Sequence, residues 1–188
     1  GTAQARLLQG LANQVLRGSD FADSEVRCDS HVFHDIRVEQ SMGQTKLGIN
    51  GFGRIGRNAF KIAFERSDLE IVAINDLTDT KTLAYLLKHD SNYGTYGHDV
   101  TFDESNIIVD GKPVKVLAEK DPAALPWGDL GVELVIESTG FFTAVEDAEK
   151  HITAGAKRVV ISGPSKSDGV DTIVLGANDD KIKGASHV

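Results

Sequence analysis

An α/β fold with a doubly wound, mostly parallel sheet is predicted by three observations. The first is the run Leu47-Gly48-Ile49-Asn50-Gly51-Phe52-Gly53-Arg54-Ile55-Gly56-Arg57, an apolar strand pattern ending in three glycines spaced G-x-G-x-x-G. The second is the amphipathic pattern that follows at once, with Ile55, Ala59, Phe60, Ala63 and Phe64 at helical spacing and Arg57, Lys61 and Glu65 between them. The third is a second apolar run, Glu70-Ile71-Val72-Ala73-Ile74-Asn75, which ends at Asp76 and closes a βαβ unit of about 30 residues.

Each glycine of the first motif has a physical role. Gly51 permits the tight turn out of the strand, Gly53 lets the backbone approach a pyrophosphate, and Gly56 lets helix and strand pack closely. The helix then begins with free N–H groups and the positive end of its dipole directed at the anion. Asp76 stands where a carboxylate accepts hydrogen bonds from an adenosine ribose. Together these features describe a Rossmann-type unit.

Further along, Thr80 to His89 reads as a helix with Leu83, Leu86 and Leu87 on one side, and Asp90 to His98 as a loop. Asn106 to Val109 and Pro113 to Ala118, joined through Asp110-Gly111, read as an antiparallel hairpin inserted into the alternation. Asp-Gly suits a two-residue turn whose central positions both take φ > 0. Leu134-Val135-Ile136-Glu137 is a buried-strand run. Ser138-Thr139-Gly140 follows at its carboxyl end, the edge on which open parallel sheets bind ligands.

A helix from about Ala144 to Ala154 comes next. Thr143 and Glu146 have the spacing of a capping box, and Gly155 stands where a C-terminal glycine belongs. Arg158 to Ile161 reads as a strand ending at Ser162-Gly163-Pro164, and Thr172 to Leu175 as the last strand. Ser138, Thr139 and Ser162 share a position at strand ends beside the glycine loop, which favours cofactor contact over simple turn chemistry. His89, His98, His151 and His187 read as isolated surface or loop histidines. Trp127, Phe141 and Phe142 read as packing residues, with Phe142 a candidate border for the adenine pocket.

The length of 188 residues fits one domain plus an appendage. No apolar run is long enough to cross a membrane. A formal charge of −8 argues against a general phosphate-backbone binder, which needs clustered Lys and Arg. The single cysteine, Cys28, excludes an intramolecular disulfide and is compatible with a reducing compartment.

Gly1 to Ser41 do not read as part of the α/β unit. Leu7, Leu8, Leu11, Val15 and Leu16 form one face of a short helix stopped by Gly18-Ser19-Asp20. The acids from Asp20 to Glu39 contradict a transit peptide. Met42, the only methionine, is the expected natural start, with residues 1–41 a leader of unknown structure. Cys28, His31 and His34 lack zinc-finger spacing and a second ligand pair, so neither a metal site nor a nucleophile is assigned there.

The motifs Asn50-Gly51-Phe52-Gly53-Arg54-Ile55-Gly56-Arg57, Ile74-Asn75-Asp76-Leu77, Trp127-Gly128, Glu137-Ser138-Thr139-Gly140 and Ile161-Ser162-Gly163-Pro164 closely resemble the glyceraldehyde-3-phosphate dehydrogenase family, in its order and spacing. The resemblance covers Lys46 to Val188 and implies that residues 42–188 are an NAD-binding domain. In it, backbone groups at Phe52, Gly53, Arg54 and Ile55 would hold the pyrophosphate and Asp76 the adenosine ribose. Leu77 and Lys120 would flank the adenine, Thr139, Gly140 and Ser162 would line the groove, and Asn50 would shape the loop. The Asp76 carboxylate would repel a 2′-phosphate, favouring NAD over NADP, and Leu77 fits NAD-preferring members. Gly163, where alanine is frequent, and Phe141 depart mildly from the family pattern.

The implied chemistry is thiolate attack on the aldehyde, hydride transfer to NAD and release of the acyl group to phosphate, converting glyceraldehyde 3-phosphate to 1,3-bisphosphoglycerate in a cytoplasmic homotetramer. In the family, the nucleophilic cysteine, its activating histidine and the substrate-phosphate residues follow the segment resembling Ala185-Ser186-His187-Val188. The catalytic domain is therefore expected to be absent here, with no catalytic residue assigned, NAD binding retained and no turnover by this chain alone. Glyceraldehyde 3-phosphate and phosphate are expected partners only with that second half, and neither membrane nor nucleic acid is expected. Erythrose-4-phosphate dehydrogenase shares the cofactor domain and is the enzymatic alternative. A free-standing nucleotide- or RNA-binding module is the other, weakened by the acidic balance.

Overall fold

In the computed structural model, which describes residues 43–168, 170–174 and 176–184, the layers are organised around β1 (Thr45–Asn50). Leu47 and Ile49 are buried, as the apolar run requires of a central strand. The chain turns through the glycine loop into α1 (Arg54–Phe64), which buries Gly56, Ala59, Phe60 and Ala63 along one face. β2 (Leu69–Asn75) returns parallel to β1, with Asn50 opposite Asn75. The expected leader helix, the Cys28, His31 and His34 group, Met42, Leu175, and Ala185 to Val188 with His187, lie outside the described residues.

α2 (Thr80–Lys88) is capped by Asp79, whose Oδ1 accepts the Thr82 amide at 2.9 Å. It ends one residue before the expected position. The stretch expected as a loop holds a short antiparallel pair, β3 (His89–Asp90) and β4 (Gly94–Thr95). The Asp90 carboxylate makes that turn, accepting the amides of Asn92 at 2.8 Å and Tyr93 at 3.1 Å.

The expected hairpin is present as β6 (Asn106–Val109) and β7 (Lys112–Leu117). Asp110 at φ 48° and Gly111 at φ 76° form its turn. Sequence reading missed β5 (Val100–Phe102), which pairs antiparallel with β6. Asp103 closes the intervening turn by accepting the amides of Ser105 and Asn106, both at 2.8 Å. Because β7 pairs parallel with β2, this antiparallel meander extends the main sheet, whose order is β5-β6-β7-β2-β1-β8-β9.

The second half supplies α3 (Trp127–Leu130), β8 (Leu134–Glu137), α4 (Val145–Thr153) and β9 (Arg158–Ile161). β8 pairs parallel with β1 on the side opposite β2, and β9 pairs parallel with β8. The chain thus reverses direction of growth at β1, the switch point of a doubly wound sheet. Gly155 follows α4 at φ 103°, and a Cβ there would stand 2.5 Å from Gly128 Cα. The expected capping box does not form. Ala144 is the N-cap residue, with no side-chain cap among the described residues, and Ser167 instead accepts the Val145 amide at 3.3 Å and donates to Glu146 at 3.2 Å. Thr172 to Val174 are not in a strand.

Both faces of the sheet are covered, as a doubly wound fold requires. One core joins Leu47, Ile49, Ile74 and Leu134 to Phe60 of α1 and Leu83 and Leu87 of α2. The other joins Ala73, Val135 and Val159 to Trp127 and Ala148 of α3 and α4. Trp127 packs over Gly48, where any side chain would meet its ring at 3.0 Å. Among the described residues, no helix is long and apolar enough to cross a membrane.

Candidate functional site

The last residues of three adjacent strands are polar and aligned: Asn75 of β2, Asn50 of β1 and Glu137 of β8. All three are buried. Above them, at the carboxyl edge of the sheet, lie the glycine loop, Asp76 and residues 138–140. This is the crevice at the switch point.

Gly51 takes φ 87°, and a Cβ there would lie 2.6 Å from the Thr139 amide nitrogen. The two loops are therefore in backbone contact, which only glycine permits. A Cβ on Gly56 would stand 2.1 Å from the Gly51 carbonyl oxygen, so the first turn of α1 packs directly on the loop. Gly53 differs: a Cβ added there meets nothing within 4 Å among the described residues. Its backbone faces open space at the helix N-terminus. Among the described residues, no acceptor takes the amides of Gly53, Arg54 or Ile55. Three donors at the positive end of a helix dipole make a cradle for an anion.

Phe52 stands apart from these three. Its side chain is buried, and its amide donates to Asp76 Oδ2 at 2.8 Å. Asp76 Oδ1 accepts the Thr78 amide at 3.0 Å. The carboxylate is half-buried, and each oxygen keeps a further acceptor site for a ligand hydroxyl. Leu77, 60 % exposed, follows at the rim. Lys120 is exposed and follows Glu119, whose backbone is fixed to Asn75 by bonds of 2.8 and 2.9 Å. Gly140 and Ser162 are exposed, and the Ser162 amide donates to the Glu137 carbonyl at 2.9 Å. The structure thus gathers Asn50, Gly51, Phe52, Gly53, Arg54, Ile55, Asp76 and Thr139 closely, with Leu77, Lys120, Gly140 and Ser162 at strand ends around them.

Arg54, Arg57 and Asn58 face Leu86 and Asn92 across a cavity of about 450 Å³ beside the first turn of α1. Arg57 Nη1 also donates to the Phe52 carbonyl at 3.1 Å. Burial pulls its guanidinium below the ordinary range, with Asp90 opposing that shift.

Beneath the crevice lies a network that sequence reading missed. His151, expected at the surface, is fully buried. Its Nδ1 accepts the Trp127 indole N–H at 2.9 Å, and its Nε2 lies 3.0 Å from Glu137 Oε2. Asn50 Nδ2 reaches the same oxygen at 2.6 Å, and Asn75 Nδ2 donates to Asn50 Oδ1 at 2.7 Å. The Thr139 amide donates to Glu137 Oε1 at 2.8 Å, and the Thr139 hydroxyl bonds to that oxygen as well. A signal was available: His151 falls three residues after Ala148 on the buried face of α4. Trp127 is a packing residue as expected, with this hydrogen bond added. Phe141, also expected to pack, is 78 % exposed, and Phe142 follows β8, across β1 from Asp76 rather than beside it.

Residues 45–145 match the family described as glyceraldehyde 3-phosphate dehydrogenase, NAD binding domain. The chain belongs to this family. Its glyceraldehyde-3-phosphate dehydrogenase relatives include those of Bacillus cereus, 54 % identical over 143 residues, Streptomyces coelicolor, 56 % over 143, and Salmonella typhimurium, 55 % over 143. Each alignment covers 76 % of this chain and 42 to 43 % of the relative, so the chain corresponds to less than half of the curated glyceraldehyde-3-phosphate dehydrogenases it matches. The matched region is the family's NAD-binding domain, with NAD as its cofactor, and the family is one of NAD-dependent oxidoreductases. The donor set fits that cofactor: an amide cradle for a pyrophosphate, a carboxylate one strand away for a ribose, and hydroxyls on the far rim.

Proposed function

We propose that residues 42–188 form the NAD-binding part of a phosphorylating glyceraldehyde-3-phosphate dehydrogenase, preceded by a leader over residues 1–41. The observation that carries the assignment of roles is the open Gly53 backbone at the start of α1, with the Asp76 carboxylate fixed beside it through the Phe52 amide. The amides of Gly53, Arg54 and Ile55 hold the pyrophosphate, while Phe52 serves as the link that orients Asp76. Asp76 binds the adenosine ribose and disfavours a 2′-phosphate through like-charge repulsion. Leu77 and Lys120 border the adenine, and Thr139, Gly140 and Ser162 line the other half of the groove. Asn50 shapes the loop from below. Bound NAD supplies the hydride acceptor.

In the whole enzyme the proposed substrates are glyceraldehyde 3-phosphate and phosphate, and the assembly a cytoplasmic homotetramer. The 188-residue chain by itself binds NAD without turnover, since its one cysteine, Cys28, precedes the matched region. Calorimetric titration of the purified chain with NAD and NADP tests the groove. Saturable NAD binding with much weaker NADP binding is expected, and equal affinity for the two removes the selector role of Asp76. Phosphate-dependent NADH formation from glyceraldehyde 3-phosphate by this chain would refute the second part.

A further inference from the structure

Four hydrogen bonds converge on Glu137, a side chain 1 % exposed, and the directions of those from His151, Asn50 and the Thr139 amide follow from chemistry alone. The Trp127 indole only donates, so His151 Nδ1 is an acceptor. The ring proton then sits on Nε2 and points at Glu137 Oε2. Asn50 offers its amide N–H to that same oxygen, because its Oδ1 is taken by Asn75. On the other oxygen, the backbone N–H and the hydroxyl of Thr139 both donate. Two groups therefore meet each oxygen of Glu137.

We propose that Glu137 is a positioning residue for the groove, holding Thr139 and the backbone beyond it in the geometry that the half of the cofactor over β8 requires. This rests on the reading of the crevice as the NAD groove. Ser138 is anchored separately, its amide and hydroxyl donating to the carbonyls of Asn50 and Gly51 at 2.7 to 3.0 Å. What Glu137 adds begins at Thr139, whose hydroxyl in turn accepts the Phe141 amide at 3.1 Å. The inner side of the network cannot yield, since His151 is clamped between Trp127 and Glu137 in a fully buried site. The loop side is half-exposed and can.

A Glu137→Gln substitution exchanges one acceptor for an NH₂ group of nearly equal size. Two donors then face a donor, and the loop side gives way first. The effect reaches a ligand half lying over β8 and spares one lying over β2, where Asp76 stands, because the sheet order places β1 between them.

The test uses the 188-residue chain and its Glu137→Gln variant, titrated with NAD and with adenosine monophosphate, together with amide hydrogen exchange by NMR. In the wild type, the Thr139 amide should exchange at least about tenfold more slowly than that of exposed Gly140. In the variant that protection should vanish, NAD affinity should fall by about tenfold, and adenosine monophosphate affinity should stay unchanged. Equal loss for both ligands would mean a general structural role and overturn the proposal. Thr139 exchanging as fast as Gly140 in the wild type would overturn it whether or not the variant folds. A wild-type chain that binds neither ligand would refute the groove reading, while the exchange comparison still decides whether Glu137 holds the loop.

Discussion

The Asp76 carboxylate accepts the Phe52 amide at 2.8 Å, tying the end of β2 to the glycine loop after β1. One side chain thereby has two tasks: it shapes the loop and presents its remaining acceptor sites to the crevice. The first task uses up the Phe52 N–H, so the run of amides without an acceptor among the described residues begins at Gly53.

Asp76→Asn separates charge from shape, since Asn can still accept one amide. NAD affinity should fall on the order of ten- to a hundredfold, the worth of hydrogen bonds to a charged group. NADP should lose less, because the repulsion it meets is removed with the charge. Parallel calorimetric titrations measure both. A variant that weakens NAD and NADP by the same factor would show that Asp76 only shapes the loop.

Two alanine substitutions in one motif should behave in opposite ways. At Gly56 a Cβ would lie 2.1 Å from the Gly51 carbonyl oxygen, with no flexible side chain to move aside. Gly56→Ala should cost about 3 kcal/mol or more in denaturant unfolding, as overpacking does. At Gly53, the N-cap residue, where φ is −70° and no described residue lies within 4 Å of an added Cβ, alanine should cost no more than about 1 kcal/mol, the scale of a changed N-cap. It should still weaken NAD binding, since the methyl group enters the space the pyrophosphate is proposed to take. Unchanged NAD affinity in Gly53→Ala would count against that cradle.

The parts of the fold that local patterns encode were legible in advance. β1, β2, β8 and β9 are runs of apolar residues, and the glycine spacing located the turn into α1. The parts decided by distant partners were not. β5 is three residues long and exists because β6 is beside it, and its turn rests on Asp103. The buried role of His151 depends on Glu137 and Trp127, 14 and 24 residues away, and no spacing rule links them. Its place on the apolar face of α4 was the one local hint. The candidate site followed the same division. The loop and Asp76 could be read from sequence, whereas the use of the Phe52 amide by Asp76 could not.

The start of α4 allows two readings of the sequence to be separated by one substitution. A capping box would make Thr143 worth about 1 kcal/mol. In the structure the Thr143 hydroxyl is buried and has no hydrogen-bond partner among the described residues, and Ser167 takes the Val145 amide. Thr143→Val keeps the shape and removes an unpaired polar atom, so it should be neutral or stabilising by up to about 1 kcal/mol. Thermal unfolding of the two proteins measures this, and a loss near 1 kcal/mol would restore the capping role.

Acid should weaken the meander through Asp110. The side-chain bond from His98 at 2.6 Å, then the Asp99 amide at 2.9 Å, hold this carboxyl below the usual carboxylate range, with Lys112 contributing. A depressed folded-state value means stability that is present above the unfolded value, about 3.9, and lost as pH falls through the folded one. Asp110→Asn keeps a residue that tolerates the positive φ at this position and removes the titrating group. The variant should therefore be less stable than the wild type at neutral pH, with the difference shrinking as the pH is lowered below about 4. Asp68, Asp79, Asp90, Asp103 and Glu133, each depressed by its own hydrogen bonds, supply the acid sensitivity that remains in the variant. Thermal unfolding of both proteins between pH 2 and 7 reads the difference directly, and a gap that stays constant with pH would show that Asp110 acts through turn geometry alone.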